Sequence, residues 1–241
     1  MLHEPLWLWG AHAVYYALEN PQRQKICLYL TPSAETRLNQ RQKGDLWEEG
    51  PFKRVSKEEL TALLPQGALH QGIALQVSPL QGVALKTLLT PKGARILLAA
   101  ENITDPQNIG ALFRTACALG VDGLIFEKKH LPLLSGALAK VAAGALDLLP
   151  FCVVGNLKEA VKEVQKHDFW CWGLAEEGEP FQTHTPHART LLVLGAEGRG
   201  LSMLLKKRLD GVLALPTNPS FPTLNVHVAG AVALVLLQNK N

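Results

Sequence analysis

Three short stretches of this 241-residue chain place polar side chains where packing alone gives no reason for them. In the first, ENITDPQNIGALFRTACALG at 101–120, Asp105-Pro106 makes a turn and Asn108-Ile109-Gly110 opens a helix. Arg114 lies one helical turn beyond Gly110, so its guanidinium is directed back toward the helix start. Backbone N–H groups and an arginine converging on one place suit a phosphate or another anion. The other reading is a capped helix whose Arg114 pairs with an acidic neighbour. In the second stretch, GAEGRG at 195–200, the spacing of Gly195, Gly198 and Gly200 is not that of a dinucleotide fingerprint, though it still lets backbone approach a ligand closely. Glu197 has only Arg199 as a basic near neighbour, which makes a structural ion pair less obvious. In the third, LPTNPSFPTLNV at 215–226, Pro219 and Pro222 stiffen the turn after Leu215-Pro216. Thr223 takes the expected N-cap position of the last helix, with Asn225 in its first turn. Capping accounts for Thr223 but not for Asn225, an amide on an otherwise apolar helix.

Each stretch follows an apolar run that reads as a strand: RILLAA at 95–100, TLLVLG at 190–195 and GVLALP at 211–216. GLIF at 123–126 and FWCWGL at 169–174 read the same way, with helices near 107–119, 133–142, 157–166, 200–208 and 224–237. Apolar strands alternating with helices imply a parallel sheet covered on both faces, and ligands in such sheets sit at the carboxyl ends of the strands. The first 80 residues form a smaller α/β pattern. A helix over 10–19, a strand at 26–30 and a helix near 34–40 precede a helix opened by the Ser56/Glu59 capping box and a strand at 72–77. Pro79, Gly82, Pro91 and Gly93 punctuate the stretch between, so the expected division is a domain over 1–80, a linker over 81–94 and a second domain over 95–241.

The longest clean apolar run, Val228 to Leu237, is too short to span a bilayer, and the N-terminal MLHEPLWLWG lacks the basic region of a signal peptide. A soluble, cytoplasmic protein with no membrane partner is expected. Cys27, Cys117, Cys152 and Cys171 form no C-x-x-C pair, so neither a metal site nor a disulfide scaffold is expected, only buried thiols. A net charge of +3 permits a nucleic-acid partner without demanding one. Contact with RNA would have to come from local clusters such as Lys128-Lys129 and Lys206-Lys207-Arg208, each of which also reads as a solvated helix end.

Together the three stretches resemble the SpoU/TrmH family of RNA ribose 2′-O-methyltransferases, of the SPOUT class. That family's first motif is matched by Asn102, Asp105, Pro106, Asn108, Gly110, Arg114, Thr115 and Ala116. Its second is matched by Gly195, Glu197, Gly198 and Gly200, and its third by Leu215, Pro216, Leu224, Asn225 and Val226. The chain departs from the third motif at Pro219, where a glycine is usual, and at Thr223 and His227, where serines bracket Leu-Asn-Val. WGAHAVYYAL and ICLYLTPSA resemble the L30e-like RNA-binding domain found in the ribosomal-RNA branch.

The resemblance implies a trefoil-knotted α/β methyltransferase domain preceded by a small L30e-like α/β domain. It implies S-adenosylmethionine as cofactor and RNA, not DNA, as partner, most closely a guanosine of 23S rRNA. Gly195, Gly200, Leu215, Pro216, Leu224 and Val226 would line the cofactor pocket. Arg114, aided by Asn108, would approach the target ribose and its phosphate, with Glu197, Asn225 and Thr223 supporting it. The family implies a homodimer through the C-terminal knot region, and the apolar helix 224–237 also reads as simply buried within one subunit. A tRNA substrate and a non-catalytic RNA-binding relative stand as alternatives. A nucleotide-dependent dehydrogenase is opposed by the missing fingerprint and ribose-binding acid.

Overall fold

A computed structural model describes residues 5–41, 50–92, 95–129, 131, 134–183, 185 and 187–239. The elements begin with β1 (Leu6–Trp9), α1 (Ala11–Glu19), β2 (Lys25–Leu30), α2 (Pro32–Arg41), β3 (Phe52–Arg54), α3 (Lys57–Leu63) and β4 (Ile73–Val77). Next come α4 (Leu85–Leu89), β5 (Arg95–Ala100), α5 (Pro106–Ala118), β6 (Gly123–Glu127), α6 (Gly136–Ala142) and α7 (Ala145–Leu148). The chain continues through β7 (Phe151–Val154), α8 (Leu157–Gln165), β8 (Trp170–Pro180) and a 3₁₀ turn (Phe181–Thr183). It ends with β9 (Arg189–Leu194), α9 (Met203–Lys206), β10 (Gly211–Ala214) and α10 (Val226–Gln238). Two compact units result: residues 1–81 with 133–148, and residues 82–132 with 149–241.

The first unit is built on a mixed sheet in the order β1-β4-β2-β3, with β4 antiparallel to β1 and β2 and β3 parallel to β2. The capping box at the start of α3 forms as the spacing predicts: Ser56 Oγ accepts from Glu59 N, and Glu59 returns a bond to Ser56 N. α6 packs on β1 so closely that a Cβ on Gly136 would lie 2.0 Å from Trp7 O. The helix near 133–142 is therefore found with the first unit, whereas the alternation of strands and helices reads it into the second. Its neighbour α7 carries Asp147, which accepts from Arg23 Nε at 2.7 Å and Nη2 at 2.8 Å, with Asn20 Nδ2 at 3.1 Å. Both charged side chains are almost wholly buried, so geometry and full pairing are what make their desolvation tolerable.

The second unit is a six-stranded sheet, entirely parallel, in the order β10-β8-β9-β5-β6-β7. Its central strands read as unbroken apolar runs because both faces are covered. Leu97, Ala99, Ile125, Leu191 and Val193 join one core with Val161 and Val164 of α8. On α5, Phe113 stacks on Phe126 with ring centroids 5.5 Å apart, and α10 packs alongside α5. β1, β3, α4, α7 and β7 are not legible in the sequence pattern. α4 lies in the stretch expected as a linker, and β8 runs on to Pro180 through the polar AEEGEP, which carries no strand signature.

One capping assignment is corrected. α10 begins at Val226, and its N-cap is Asn225, whose Oδ1 accepts from His227 N at 3.1 Å. Thr223 lies two residues too early to cap it, because Leu224 and Asn225 still precede the helix.

Two stability outcomes follow for the first unit. Asp147→Ala should cost about 3–5 kcal/mol, since it strands a buried guanidinium, as measured by urea unfolding of the full chain. His70 is buried with Nδ1 accepting from Gly72 N, and burial followed by the charge of Lys57 holds its pKa below the ordinary histidine value. The unfolded chain then takes up the proton first. Stability should be full above about pH 6.5 and be lost as pH falls through the lowered native value, and His70→Gln should flatten that dependence in thermal melts.

Candidate active site

β5 and β9 are parallel neighbours whose register pairs Ala100 with Leu194, so the segments that follow them leave the sheet side by side. Glu101 N extends the ladder by donating to Leu194 O at 2.8 Å. The first and second polar stretches thus meet at the carboxyl edge of the sheet. Asp105 caps α5 by accepting from Gln107 N and Asn108 N, and Pro106 at the first helical position suits a site without a free donor. The cap fixes where Asn108 projects.

The third stretch starts farther away, since β8 separates β10 from β9. Residues 215–225 carry the chain back to α10 beside α5, and this return brings Asn225 to the other two. Asn225 Nδ2 donates to Glu197 Oε1 at 2.5 Å and to Asn108 Oδ1 at 3.0 Å, while Asn108 Nδ2 donates to Glu197 Oε1 at 3.2 Å. Two amides on one carboxylate oxygen give charge-assisted bonds that fix the tips of three loops against one another. Asn225 spends Oδ1 on its helix and Nδ2 on the cluster, which resolves why a polar residue stands at the mouth of an apolar helix.

Beside this cluster opens a cleft of about 630 Å³, a size suited to a small-molecule cofactor. Gly195, Gly200, Leu215, Leu224 and Val226 line it, as do Glu197, Thr223 and Asn225. Gly195 has no substitute here, because a Cβ would fall 2.3 Å from the carbonyl carbon of Gly200. The loop closes through Gly200 N donating to Ala196 O at 2.8 Å. Glu176, Glu177, Arg199 and Lys206 add charge to the lining. Glu177 bonds to Lys206, and that hydrogen bond holds its carboxyl below the ordinary range.

Not every expected residue joins the cluster. Arg114 is exposed on α5 and makes no hydrogen bond or ion pair among the described residues, so the acidic partner of the alternative reading is not found there. Glu197 and Asn225 brace Asn108, not Arg114. Pro216 is exposed and does not line the cleft, although Leu215 and Thr217 do. Thr223 lines the cleft as an exposed residue without the capping role.

Residues 95–235 match the profile of the SpoU rRNA Methylase family. The chain belongs to that family. Residues 7–83 match a second profile, described as RNA 2′-O ribose methyltransferase substrate binding. The 23S rRNA (guanosine-2′-O-)-methyltransferase RlmB of Pasteurella multocida is 33% identical over 232 residues, 94% of this chain and 95% of that protein. An uncharacterized tRNA/rRNA methyltransferase of Synechocystis is 32% identical over 240 residues, and the match spans 94% of this chain but 60% of that longer protein. The crystal structure of the SpoU methyltransferase AviRb from Streptomyces viridochromogenes, in complex with AdoMet, shares the fold. Its TM-score is 0.75 at 20% identity, covering 98% of this chain and 89% of that one.

In this SpoU family member, Glu101 braces the candidate site from outside the cleft, a role with little trace in the sequence. It is buried at the end of β5 and accepts from Ser202 N at 2.7 Å and Ser202 Oγ at 2.6 Å, tying the first stretch to the segment that follows the glycine loop. An acid directly after six strand residues was the available signal. His227, which replaces the serine of the family pattern, has a buried Nδ1 with no hydrogen-bond partner among the described residues. Among the described residues no group of three or more His, Cys, Asp or Glu could hold a metal ion, and no helix is long and apolar enough to cross a membrane.

The two duties of Asn225 are separable. Asn225→Ala should lower stability by about 1 kcal/mol through loss of the cap. Asn225→Ser should recover the cap without the cluster, so hydrogen exchange in the first turn of α10 returns to wild type while the Asn108 side-chain amide resonances stay shifted.

Proposed function

We propose that this protein transfers a methyl group from S-adenosylmethionine to the ribose 2′-hydroxyl of a guanosine in 23S rRNA. The observation that carries the reading is the joining of Asn108, Glu197 and Asn225, 117 residues apart at the extremes, at the edge of one cleft. The assignment to ribosomal RNA draws on the likeness to RlmB across nearly the whole of both chains.

The cleft residues fit the cofactor. Leu215, Leu224 and Val226 offer apolar surface for an adenine, and the close approach of the Gly195 and Gly200 backbones leaves peptide groups to recognise its edges. S-adenosylmethionine supplies an electrophilic methyl group when bound. Arg114, unclaimed by any acid among the described residues, is available to bind the target phosphate and stabilise charge developing on the ribose oxygen. An arginine is too weak an acid to serve as general base near neutrality, so its role is electrostatic, with the proton leaving through the substrate phosphate or water. Asn108, braced by Glu197 and Asn225, holds the ribose edge so that oxygen and methyl carbon approach in line. Thr223 contributes a hydroxyl to the same cleft.

The finer architecture belongs to the same reading. A C-terminal trefoil knot is supported by the return of residues 215–225 across β8 to α10. An L30e-like domain over 1–80 and a catalytic domain that begins at 95 are supported by the two matched profiles, with residues 133–148 joining the first unit and α4 lying within 81–94. A homodimer is supported by the exposed Phe221, Leu224, Val228 and Val235 along α10 and its approach. A cytoplasmic location follows from a ribosomal substrate.

Arg114→Ala should reduce methyl transfer to 23S rRNA by about 100-fold or more while S-adenosylmethionine binds as in wild type by calorimetry. Undiminished transfer would remove Arg114 from the mechanism. Gly195→Ala should act the other way, abolishing cofactor binding. Mapping ribose methylation in cells lacking the protein identifies the nucleotide, and loss in tRNA instead of 23S rRNA would overturn the substrate assignment.

A further inference from the structure

β8 lies between β9 and β10 but does not pair evenly along its length. Gly173 stands opposite Val212 and the next pair is Glu179 with Leu213, so residues 174–178 leave the ladder between two adjacent residues of β10. An excursion of this kind re-aims side chains that a regular pleat would send to alternate faces. Gly178 closes it, because a Cβ there would lie 2.6 Å from the backbone carbonyl carbon of Leu213. Leu174, Ala175, Glu176 and Glu177 of the excursion all line the cleft beside the Asn108, Glu197 and Asn225 cluster. Packing gives no reason for two adjacent carboxylates at that place.

The charged groups of the cleft lining are Glu176, Glu177 and Glu197 with Arg199 and Lys206, a formal excess of one negative charge. Their commitments differ. Glu197 Oε1 is held by the amides of Asn108 and Asn225. Lys206 Nζ donates to Glu177 Oε1, and the lysine side chain is only 19% exposed. Glu176 is exposed and makes no hydrogen bond or ion pair among the described residues. Arg199 is exposed on the glycine loop. The excursion therefore sets an unclaimed carboxylate next in sequence to a carboxylate already paired with a lysine.

A bound zwitterion needs both signs close together, since its ammonium requires a carboxylate and its carboxylate an ammonium. A nucleoside phosphate needs cations and is repelled by carboxylates. The lining has the first character. We infer that the β8 excursion selects the cofactor by its amino-acid end: Glu176 accepts from the α-ammonium, Lys206 donates to the α-carboxylate, and the carboxylates turn away anionic adenine nucleotides. S-adenosylmethionine carries one net positive charge, its sulfonium and ammonium against its carboxylate, and so complements the lining. Lys206 serves in preference to Arg199 because its shielded ammonium stands in a lower dielectric, where a charge contact is stronger. The inference rests on the reading of this cleft as the S-adenosylmethionine site, and it adds the residues that tell this adenosyl compound from others.

The test measures equilibrium binding to the full chain of three compounds: S-adenosylmethionine, ADP, and 5′-methylthioadenosine, which keeps the adenosine but lacks the amino-acid end. Glu176→Gln and Lys206→Met should each weaken S-adenosylmethionine about tenfold and leave 5′-methylthioadenosine as in wild type, which also reports an intact cleft. Added salt should weaken the first complex and not the second. Arg199→Ala should leave the ratio of the two affinities unchanged. ADP should bind the wild type less tightly than 5′-methylthioadenosine, and the double variant Glu176→Gln, Glu177→Gln should narrow that difference. Wild-type S-adenosylmethionine affinity in both single variants, equal weakening of both adenosyl compounds, loss in Arg199→Ala but not in Lys206→Met, or ADP bound by the wild type as tightly as 5′-methylthioadenosine would each overturn the inference. A wild type that binds the two adenosyl compounds equally well would overturn it and leave the adenosine site standing, whereas one that binds neither would remove the cofactor reading itself.

Discussion

The parallel pairing of β5 with β9 is the constraint on which the candidate active site depends. Because Ala100 lies opposite Leu194, two loops separated by more than ninety residues of chain leave the sheet at the same height and on the same edge. Glu101 N prolongs the ladder by one bond, and the Glu101 carboxylate then grips Ser202 beyond the glycine loop. The residues that place Asn108 and Glu197 within bonding distance are thus mostly apolar, buried and remote from the chemistry. Loss of register by one residue would turn each strand face over and separate the loops.

Asn225 turns this arrangement of two loops into a site of three. It ends the irregular return from β10 and starts α10, and its amide is shared between those tasks. A helix cap is well suited to this, since its side chain must already point outward from the helix start. The stiff prolines before it limit how the loop can arrive. Gly195 adds a steric condition: the glycine loop closes only where no Cβ intervenes, and the same absence leaves backbone exposed to the cleft. The geometry of the candidate site is made from ordinary structural devices placed at one strand edge.

The first unit obeys a related rule with a different outcome. Strands that end together deliver helix starts together, and the result there is a braced groove with Arg37 and Lys57 in its lining, in place of a cleft of mixed apolar and charged lining. The buried Arg23–Asp147 pair shows how strongly α7 is committed to this unit, although nothing in its short sequence says so. A charged residue reads as surface until its partner is known.

How far the sequence reaches can be judged residue by residue. Local signals sufficed where the physics is local: the Ser56/Glu59 box, the Asp105-Pro106 helix start, and the apolar strands of a sheet covered on both faces. The joint order of the three polar stretches sufficed for the family. β1, β3 and β7 escaped because strands of three or four residues carry too few positions to show a period, and β8 because its second half pairs with β10 through polar residues. Thr223 reads as a cap because Ser and Thr prefer that position, yet the actual cap, Asn225, is decided by where the returning loop has to reach. The sequence by itself thus determined which residue types were present and the helices and strands that present them. Only the tertiary structure decided that Asn225 bonds Asn108 and Glu197, that Arg114 stands clear of them, and that α6 and α7 join the first unit. Those outcomes depend on strand order and on loops crossing between distant elements, and neither leaves a periodic trace in the chain.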